Sequence, residues 1–385
     1  MIYTVAIVLS AVMNIPNWQT ILLSGLITII YSYQGGMKAV IWGDVIQMLI
    51  LTAGIFVCTY YGIHLLGGWD EFLAGIDPGR TTIVKNNWGV GPDAEFGIWP
   101  MIIGGFFLYI SYYGCDQSQA QRSLSGRDIS QVRKALMFNG ILRFPITFLY
   151  CLMGLAIGSF ARKNSDFMQL IPDDKPDYMV PLFIIEYLPH GLIGLLFVAI
   201  LAAAMSSLSS AINSLSAASV EDIIVRGRNF EAHKVLRYSK WMTVFWGLVC
   251  ITLAFSAGNI APTVIEAINK VGSAFYGPIV ACFLLAFFSR NISARDINIG
   301  IIAGVATNLL IWITGAPIFW IWWNFIGFTV TIVVSRIISV LSPSHTRGHR
   351  ILRTELKFLN RENLVLILFF ILILLISFSL PKLLN

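Results

Sequence analysis

Residues 202–219, AAAMSSLSSAINSLSAAS, carry seven serine hydroxyls within a run otherwise apolar enough for a membrane-spanning helix. At about 100° per residue, the polar side chains that share one helix face are Ser206, Ser209, Ser210 and Asn213, with Ser207 at the margin. Hydroxyl and carbonyl oxygens are hard donors, and a neutral set with one carboxylate suits a monovalent cation. Small residues also allow close helix packing, with hydroxyls bonded to carbonyls one turn earlier. The serine face therefore indicates either a cation-binding site or a close helix-packing surface.

Asp44, in the stretch GGMKAVIWGDVIQ, is a candidate for that carboxylate. It lies roughly 8 Å from the cytoplasmic end of its apolar run, at about 1.5 Å per residue. An ionised group at this depth is costly unless it faces a cavity or a partner. We therefore consider two roles for Asp44, a cation ligand or an ion-pair partner of Lys38 or Lys134 near the interface.

The stretch YISYYGCDQSQAQR, residues 109–122, combines tyrosines, one glycine and then polar residues on every helix face. A glycine between aromatic and acidic residues suggests a helix that breaks near Gly114, and broken helices expose backbone groups to ligands in transporters. A helix that simply leaves the membrane would also become polar. The candidate substrate-binding or gating residues here are Tyr109, Tyr112 and Gln117.

Two basic residues fall inside apolar runs, where ionisable groups usually face a cavity or a partner. Arg143 lies beside Pro145 in ALMFNGILRFPITFLYCL, without an acidic neighbour in sequence. Lys270 lies in the run 261–289, one turn after Glu266, so an i,i+4 ion pair is the simpler account of Lys270. The alternative is that Arg143 and Lys270 both contact a solute.

The elements that position these residues are membrane helices. The chain is 57% hydrophobic and 12% charged, which is too apolar for a soluble globule. Ten runs are long enough to cross a core of about 30 Å, and a shorter run, 1–13, precedes them. The ten runs are 19–33, 39–63, 98–121, 136–160, 192–217, 238–258, 261–289, 297–314, 319–341 and 362–380.

Most of the 26 lysines and arginines fall in one set of alternate loops, among them Arg122, Arg226 and Arg336. The positive-inside rule places these loops in the cytoplasm, so we expect a multi-pass protein of the plasma or inner membrane, in contact with lipid and not with nucleic acid. The five cysteines have no paired spacing, and the loops lack a P-loop or a G-x-G-x-x-G motif. No histidine or acid pair has a spacing that suits catalysis, so we do not expect an enzyme.

Three stretches together resemble the sodium/solute symporter family, the sodium-coupled sugar, sialic acid, monocarboxylate and multivitamin carriers. They are YSYQGGMKAVIWGDVIQ, YYGCDQSQAQRSLSGRD and AILAAAMSSLSSAINSLSAASVEDII. The resemblance implies an all-α integral membrane protein with an inverted repeat of five plus five helices. It divides one transporter domain, 1–385, into a remnant of the first repeat, 1–63, a second repeat, 98–289, and peripheral helices, 297–380. On this pattern the first repeat is incomplete and the chain is truncated at its N-terminus.

The resemblance also assigns site residues. The family's shared sodium site implies ligands at Ala203, Ser206 and Ser207, and a further sodium site of some members implies Asp44, Ser206, Ser209 and Ser210. Tyr112 takes the place of a gating tyrosine, while Arg143 and Lys270 replace a cavity lysine and a sugar-binding glutamine.

The predicted function is secondary active symport, in which transported sodium ions drive uptake of a small polar solute. Two cations in one cavity suggest a carboxylate or another anion as the solute. The alternatives are a sodium/sugar symporter, a non-transporting fragment or a membrane-embedded enzyme.

Overall fold

The computed structural model describes the chain except residues 35–36, 83, 92–94, 125, 174, 229, 262, 290–291, 342–360 and 385. Side chains of helical residues 31, 34, 37–44, 78 and 382–384 also lie outside the description. The α-helices are α1 (Ile2–Met13), α2 (Asn17–Gln34), α3 (Met37–Leu66), α4 (Trp69–Ala74), α5 (Pro78–Thr81), α6 (Ile98–Gly114), α7 (Gln117–Leu124), α8 (Ile129–Lys163), α9 (Ser165–Leu170), α10 (Met179–Tyr187), α11 (His190–Ala218), α12 (Ala232–Ala257), α13 (Val264–Phe288), α14 (Ala294–Ile313), α15 (Trp322–Leu341) and α16 (Arg361–Leu384).

The described residues form eight helices that are long and apolar enough to cross a membrane, or up to ten spans when two bent helix pairs are included. One pair is α1 with α2, whose axes differ by 119°, and the other is α6 with α7, which meet at 49°. These elements confirm the predicted all-helical membrane class. Helix α8 extends beyond the apolar run 136–160 because hydropathy detects only its middle, whereas its polar first turns are also helical.

The chain forms two compact units, and the division falls inside α8 and α13. The first unit contains residues Met1–Arg80 and Phe138–Ala267. In it, Gly25 of α2 packs on Ile251 of α12, and Gly247 of α12 packs on Ile29 of α2. Glycines opposite large side chains let two helix backbones approach closely. This reciprocal contact explains why α2 and α12 pack together along their lengths.

In the same unit, α3 packs against both α8 and α11 through glycines. Gly54 faces Leu196, and Gly62 faces Ala156. The C-terminal half of α3 shares a buried cluster with the first turns of α11, including Cys58, Leu196 and Phe197. Because the end of α3 meets the beginning of α11, the two helices run antiparallel.

The second unit contains Thr81–Met137 and Ile268–Asn385. Here α13, α14 and α15 pack through small residues, with Gly300 against Ser335 and Gly277 against the backbone of Asn324. Buried amides join the three helices. Asn308 Nδ2 donates to the Ala274 carbonyl oxygen (3.0 Å), and Asn324 Nδ2 donates to Ser273 Oγ (3.1 Å). These contacts make the three helices one packed layer.

Candidate functional site

The polar face of α11 is buried within the first unit. Ser206, Ser209 and Ser210 have exposed fractions of 4%, 1% and 5%, while Ala203 and Ser207 are partly buried. Three buried hydroxyls on one face fit the predicted helical spacing, and they lie on the helix that packs against α3. The structure therefore brings five of the six predicted sodium-site residues onto one stretch of α11.

The hydroxyls on this face differ in their partners. Ser206 Oγ donates to the Ala203 carbonyl oxygen at 3.1 Å, so two of the predicted ligands contact each other. Ser210 Oγ is buried and has no hydrogen-bond partner among the residues that the structure describes. Backbone bonding, the packing interpretation of these serines, accounts for the Ser206 hydroxyl but leaves the Ser210 hydroxyl unexplained.

The sixth predicted ligand, Asp44, belongs to α3, but its side chain lies outside the described residues. The same holds for its alternative partner Lys38. The described residues contain no group of three or more His, Cys, Asp or Glu side chains placed to hold a metal ion. Among the described residues, the polar face of α11 offers hydroxyl and carbonyl oxygens as possible ligands.

Beyond the predicted face, α11 is joined to α12 by a second set of hydroxyls that sequence reasoning missed. Ser216 Oγ donates to the Ser239 carbonyl oxygen at 2.7 Å, and Thr243 Oγ1 donates to Ser216 Oγ at 3.4 Å. Trp246 Nε1 donates to Ser219 Oγ at 2.8 Å, where α11 passes into a π-helical turn, Ser219–Ile224. These residues join the C-terminal half of α11 to α12. The only sequence signal was the continued serine spacing, which does not name partners on another helix.

The break predicted near Gly114 is present, between α6 and α7. Asp116 caps α7, because its Oδ1 accepts from the backbone N–H of Ser118 (2.7 Å) and of Gln119 (3.2 Å), as well as from the Ser118 hydroxyl. Gln119 Nε2 donates to the Tyr112 hydroxyl at 2.8 Å. Gln119 was not among the predicted site residues, although it links the two halves of the broken helix.

The remaining predicted residues of this segment are exposed. Tyr109 has an exposed fraction of 46% and stacks on Tyr113 with ring centroids 6.3 Å apart, while Gln117 is exposed in the first turn of α7. Tyr109 also lines an apolar crevice of about 970 Å³ together with Phe106 and Phe370 of α16.

The two intramembrane cations occupy different units. Arg143 is exposed on α8, two residues before Pro145. The Lys270 ammonium lies 5.7 Å from the ring centroid of Trp312, within reach of a cation–π contact. No ion pair joins Lys270 to Glu266 in the described part of the chain. The simpler sequence account of Lys270 is therefore wrong for the described residues.

The helices and the α6–α7 break define a multi-pass α-helical membrane protein with broken spans. The chain belongs to the sodium:solute symporter family, which it matches over residues 1–304. The family predicted from three sequence stretches is thereby confirmed.

Similar proteins include several sodium-coupled transporters. The human sodium/iodide cotransporter is 29% identical over 312 residues, covering 80% of this chain and 48% of that protein. Human sodium-coupled monocarboxylate transporter 1 is 30% identical over 324 residues, covering 83% of this chain and 52% of that protein. The sodium/sialic acid symporter NanT of Aliivibrio fischeri is 26% identical over 338 residues, covering 86% and 66%. The chain spans about half the length of the first two.

A solved structure of a Na⁺-coupled sialic acid symporter, in a substrate-bound outward-open state, superposes with a TM-score of 0.74. It is 23% identical in sequence, and the match covers 91% of this chain and 71% of the other. This likeness confirms the predicted transporter fold. The family and these relatives are transporters, in line with transport and not catalysis.

Proposed function

We propose that this protein is a sodium-coupled symporter that imports a small organic anion, most simply a carboxylate, across the plasma or inner membrane. Its membership of the sodium:solute symporter family and the sodium-coupled transport carried out by its relatives support this proposal. Sodium enters down its gradient and favours the substrate-binding state, and the coupling between the two ligands is reciprocal. The membrane potential adds about 2.3 kcal/mol per charge for each 100 mV.

The main support for the proposed sodium site is the alignment of α3 with α11 along their lengths. Gly54 contacts Leu196 where these antiparallel helices pack. Asp44 precedes Gly54 by ten residues, and Ser206 follows Leu196 by ten. At about 1.5 Å per residue, both positions lie roughly 15 Å from the contact, in the same direction. We infer from this register that the backbone of Asp44 lies near the level of Ser206, where a carboxylate would complete a site.

The proposed sodium ligands at this level are the Asp44 carboxylate and the hydroxyls of Ser206, Ser209 and Ser210. Ser210 supports this assignment, since its buried hydroxyl lacks a partner among the described residues and would gain one from a bound ion. A second sodium site would use the Ala203 carbonyl oxygen with the hydroxyls of Ser206 and Ser207.

For the solute, we propose that Arg143 and Lys270 contact an anion and that Tyr109, Tyr112 and Gln117 contribute to binding or gating along the broken helix. The negative charge of a carboxylate would offset the positive charge of the Arg143 or Lys270 side chain within an apolar helix. A neutral sugar would not offset it.

The test is uptake into proteoliposomes that contain the full chain, with and without an inward sodium gradient, using a panel of carboxylates and neutral sugars. Asp44→Asn and Ser206→Ala should each raise the half-saturating sodium concentration by about tenfold, because each removes a ligand of the ion. Asp70→Asn, an exposed acid on α4, is the matched control. Unchanged sodium dependence in both variants would contradict the site, and preference for a neutral sugar over every carboxylate would contradict the solute class.

A further inference from the structure

The first unit contains a cavity of about 650 Å³ at the ends of its helices. It is bounded by the first turns of α1, by a 3₁₀ turn, Pro176–Tyr178, that precedes α10, and by the turn between α12 and α13. One span, α8, separates the 3₁₀ turn from Arg122, and another, α11, separates it from Arg226. The positive-inside rule therefore predicts that the cavity faces outward. Its volume falls within the usual range for small-molecule sites, about 300–1,000 Å³.

Two tyrosines line this cavity. Tyr178 is 8% exposed, and its hydroxyl has no hydrogen-bond partner among the residues that the structure describes. Tyr3 lies beside it, within electrostatic range of both Tyr178 and Asp177. The Tyr3 hydroxyl rests against Gly258, where an added Cβ would overlap it. Because a buried hydroxyl without a partner costs free energy, a ligand that bonds to Tyr178 gains affinity.

Asp177 supplies a fixed negative charge next to these rings. It is half-buried, and its Oδ2 accepts from the backbone N–H of Val264, the first residue of α13, at 2.9 Å. In the described part of the chain, Asp177 forms no ion pair. Aromatic faces attract cations as a carboxylate does. This wall of the cavity is therefore suited to an ammonium group.

A positive charge lies on the same wall. Lys175, which is exposed, lines the cavity two residues before Asp177, and the described residues include no ion pair between the two. Two opposite charges that are not paired with each other complement a ligand that carries both. The rest of the lining is mainly apolar, including Ile7 and Ile260, and suits an aliphatic body.

We propose that this outward cavity binds an amino acid with an apolar side chain, whose ammonium group pairs with Asp177 and whose carboxylate accepts from Lys175. The polar end of the same ligand bonds to the Tyr178 hydroxyl. The site shares no residue with the sodium and solute contacts proposed above, and its occupancy depends on neither of them.

The test is isothermal titration calorimetry on the purified full chain in sodium-free buffer, with three probes of one carbon skeleton. They are L-leucine, 4-methylpentanoate, which lacks the ammonium group, and 3-methylbutylamine, which lacks the carboxylate. L-Leucine should bind about tenfold more tightly than either singly charged probe, because each of them loses one charge-assisted bond.

Charge removal on the protein should reproduce the loss of each ligand group. Asp177→Asn keeps an acceptor for the Val264 N–H and should weaken L-leucine binding by about tenfold, to the level of 4-methylpentanoate. Lys175→Met should weaken it by about threefold to tenfold, because Lys175 is more exposed than Asp177. Tyr178→Phe should weaken it by about threefold. Gly258→Ala, which displaces the Tyr3 hydroxyl, should also weaken it.

Asp166→Asn, at an exposed acid of α9 in the same outer segment, is the matched control and should bind L-leucine as the parent does. L-Leucine binding that is absent in the monodisperse parent, or unchanged in Asp177→Asn, overturns the site. A parent that binds either singly charged probe as tightly as L-leucine overturns the assignment to an amino acid. Asp44→Asn should retain L-leucine binding while its sodium-driven uptake is impaired, so this proposal and the proposed function can fail independently.

Discussion

The side-chain amide of Gln119 donates a 2.8 Å hydrogen bond to the hydroxyl of Tyr112, across the break between α6 and α7. A break in a membrane helix frees backbone groups that other partners must satisfy. Here the bend is fixed both by the Asp116 cap and by this side-chain bond. Specific side chains therefore stabilise the bend between α6 and α7, and each of them can be substituted separately.

Removal of the Tyr112–Gln119 bond should lower stability by about 1 kcal/mol, the usual net contribution of one hydrogen bond. Tyr112→Phe and Gln119→Leu should lower the melting temperature in detergent, and the double variant should lower it no further than the larger single effect. Tyr60→Phe, which removes the hydroxyl of an exposed tyrosine on α3 outside this bond, is the control. Additive losses in the double variant would show that the two side chains act separately.

The Asp116 cap makes a distinct prediction. Asp116→Ala removes the acceptor for two backbone N–H groups at the start of α7 and should cost about 1 kcal/mol. Asp116→Asn keeps an acceptor oxygen and should recover most of that loss, because asparagine caps helices about as well as aspartate does. Thermal unfolding of both variants measures the difference. Equal losses in both would mean that the charge of Asp116, and not its capping oxygen, stabilises this region.

The sequence predicted what depends on local pattern. Apolar runs predicted the membrane helices, the glycine within a tyrosine-rich stretch predicted the α6–α7 break, and serine spacing predicted the buried face of α11. Long-range partners were not predictable, since periodicity does not say what faces a helix. Ser216 bonds α12, and Lys270 faces Trp312 although its sequence neighbour Glu266 is one turn away. The Asp44 side chain lies outside the described residues, so its assignment still rests on sequence and register.

Two serines on α11 should separate ion binding from helix packing. Ser216→Ala removes the bond to the Ser239 carbonyl oxygen and should lower stability by about 1 kcal/mol, with sodium dependence unchanged. Ser210→Ala deletes a buried hydroxyl that lacks a partner among the described residues, so stability should stay the same or rise. The half-saturating sodium concentration of the Ser210→Ala variant should increase. Melting temperature and sodium-dependent uptake should be measured on both variants. A lower melting temperature in Ser210→Ala, together with a changed sodium dependence in Ser216→Ala, would contradict the assignment of Ser210 as a sodium ligand.

Close packing in the second unit gives the last prediction, at Gly277 of α13. A Cβ added there would overlap the carbonyl oxygen of Asn324 on α15. Since the obstruction is backbone, relief requires α13 and α15 to separate, which would stretch the bond from Asn324 Nδ2 to Ser273 Oγ. Gly277→Ala should therefore destabilise the protein by about 1–3 kcal/mol, as overpacked sites usually do.

Gly105→Ala is the matched control for this change. A Cβ at Gly105 of α6 meets nothing within 4 Å, so the substitution should be neutral or slightly stabilising, because alanine favours helix more than glycine does. Thermal unfolding of both variants in the same detergent decides between packing and propensity. If Gly277→Ala melts no lower than Gly105→Ala, then α13 and α15 do not pack as closely as the structure places them, and the layer that carries Lys270 is looser than its contacts imply.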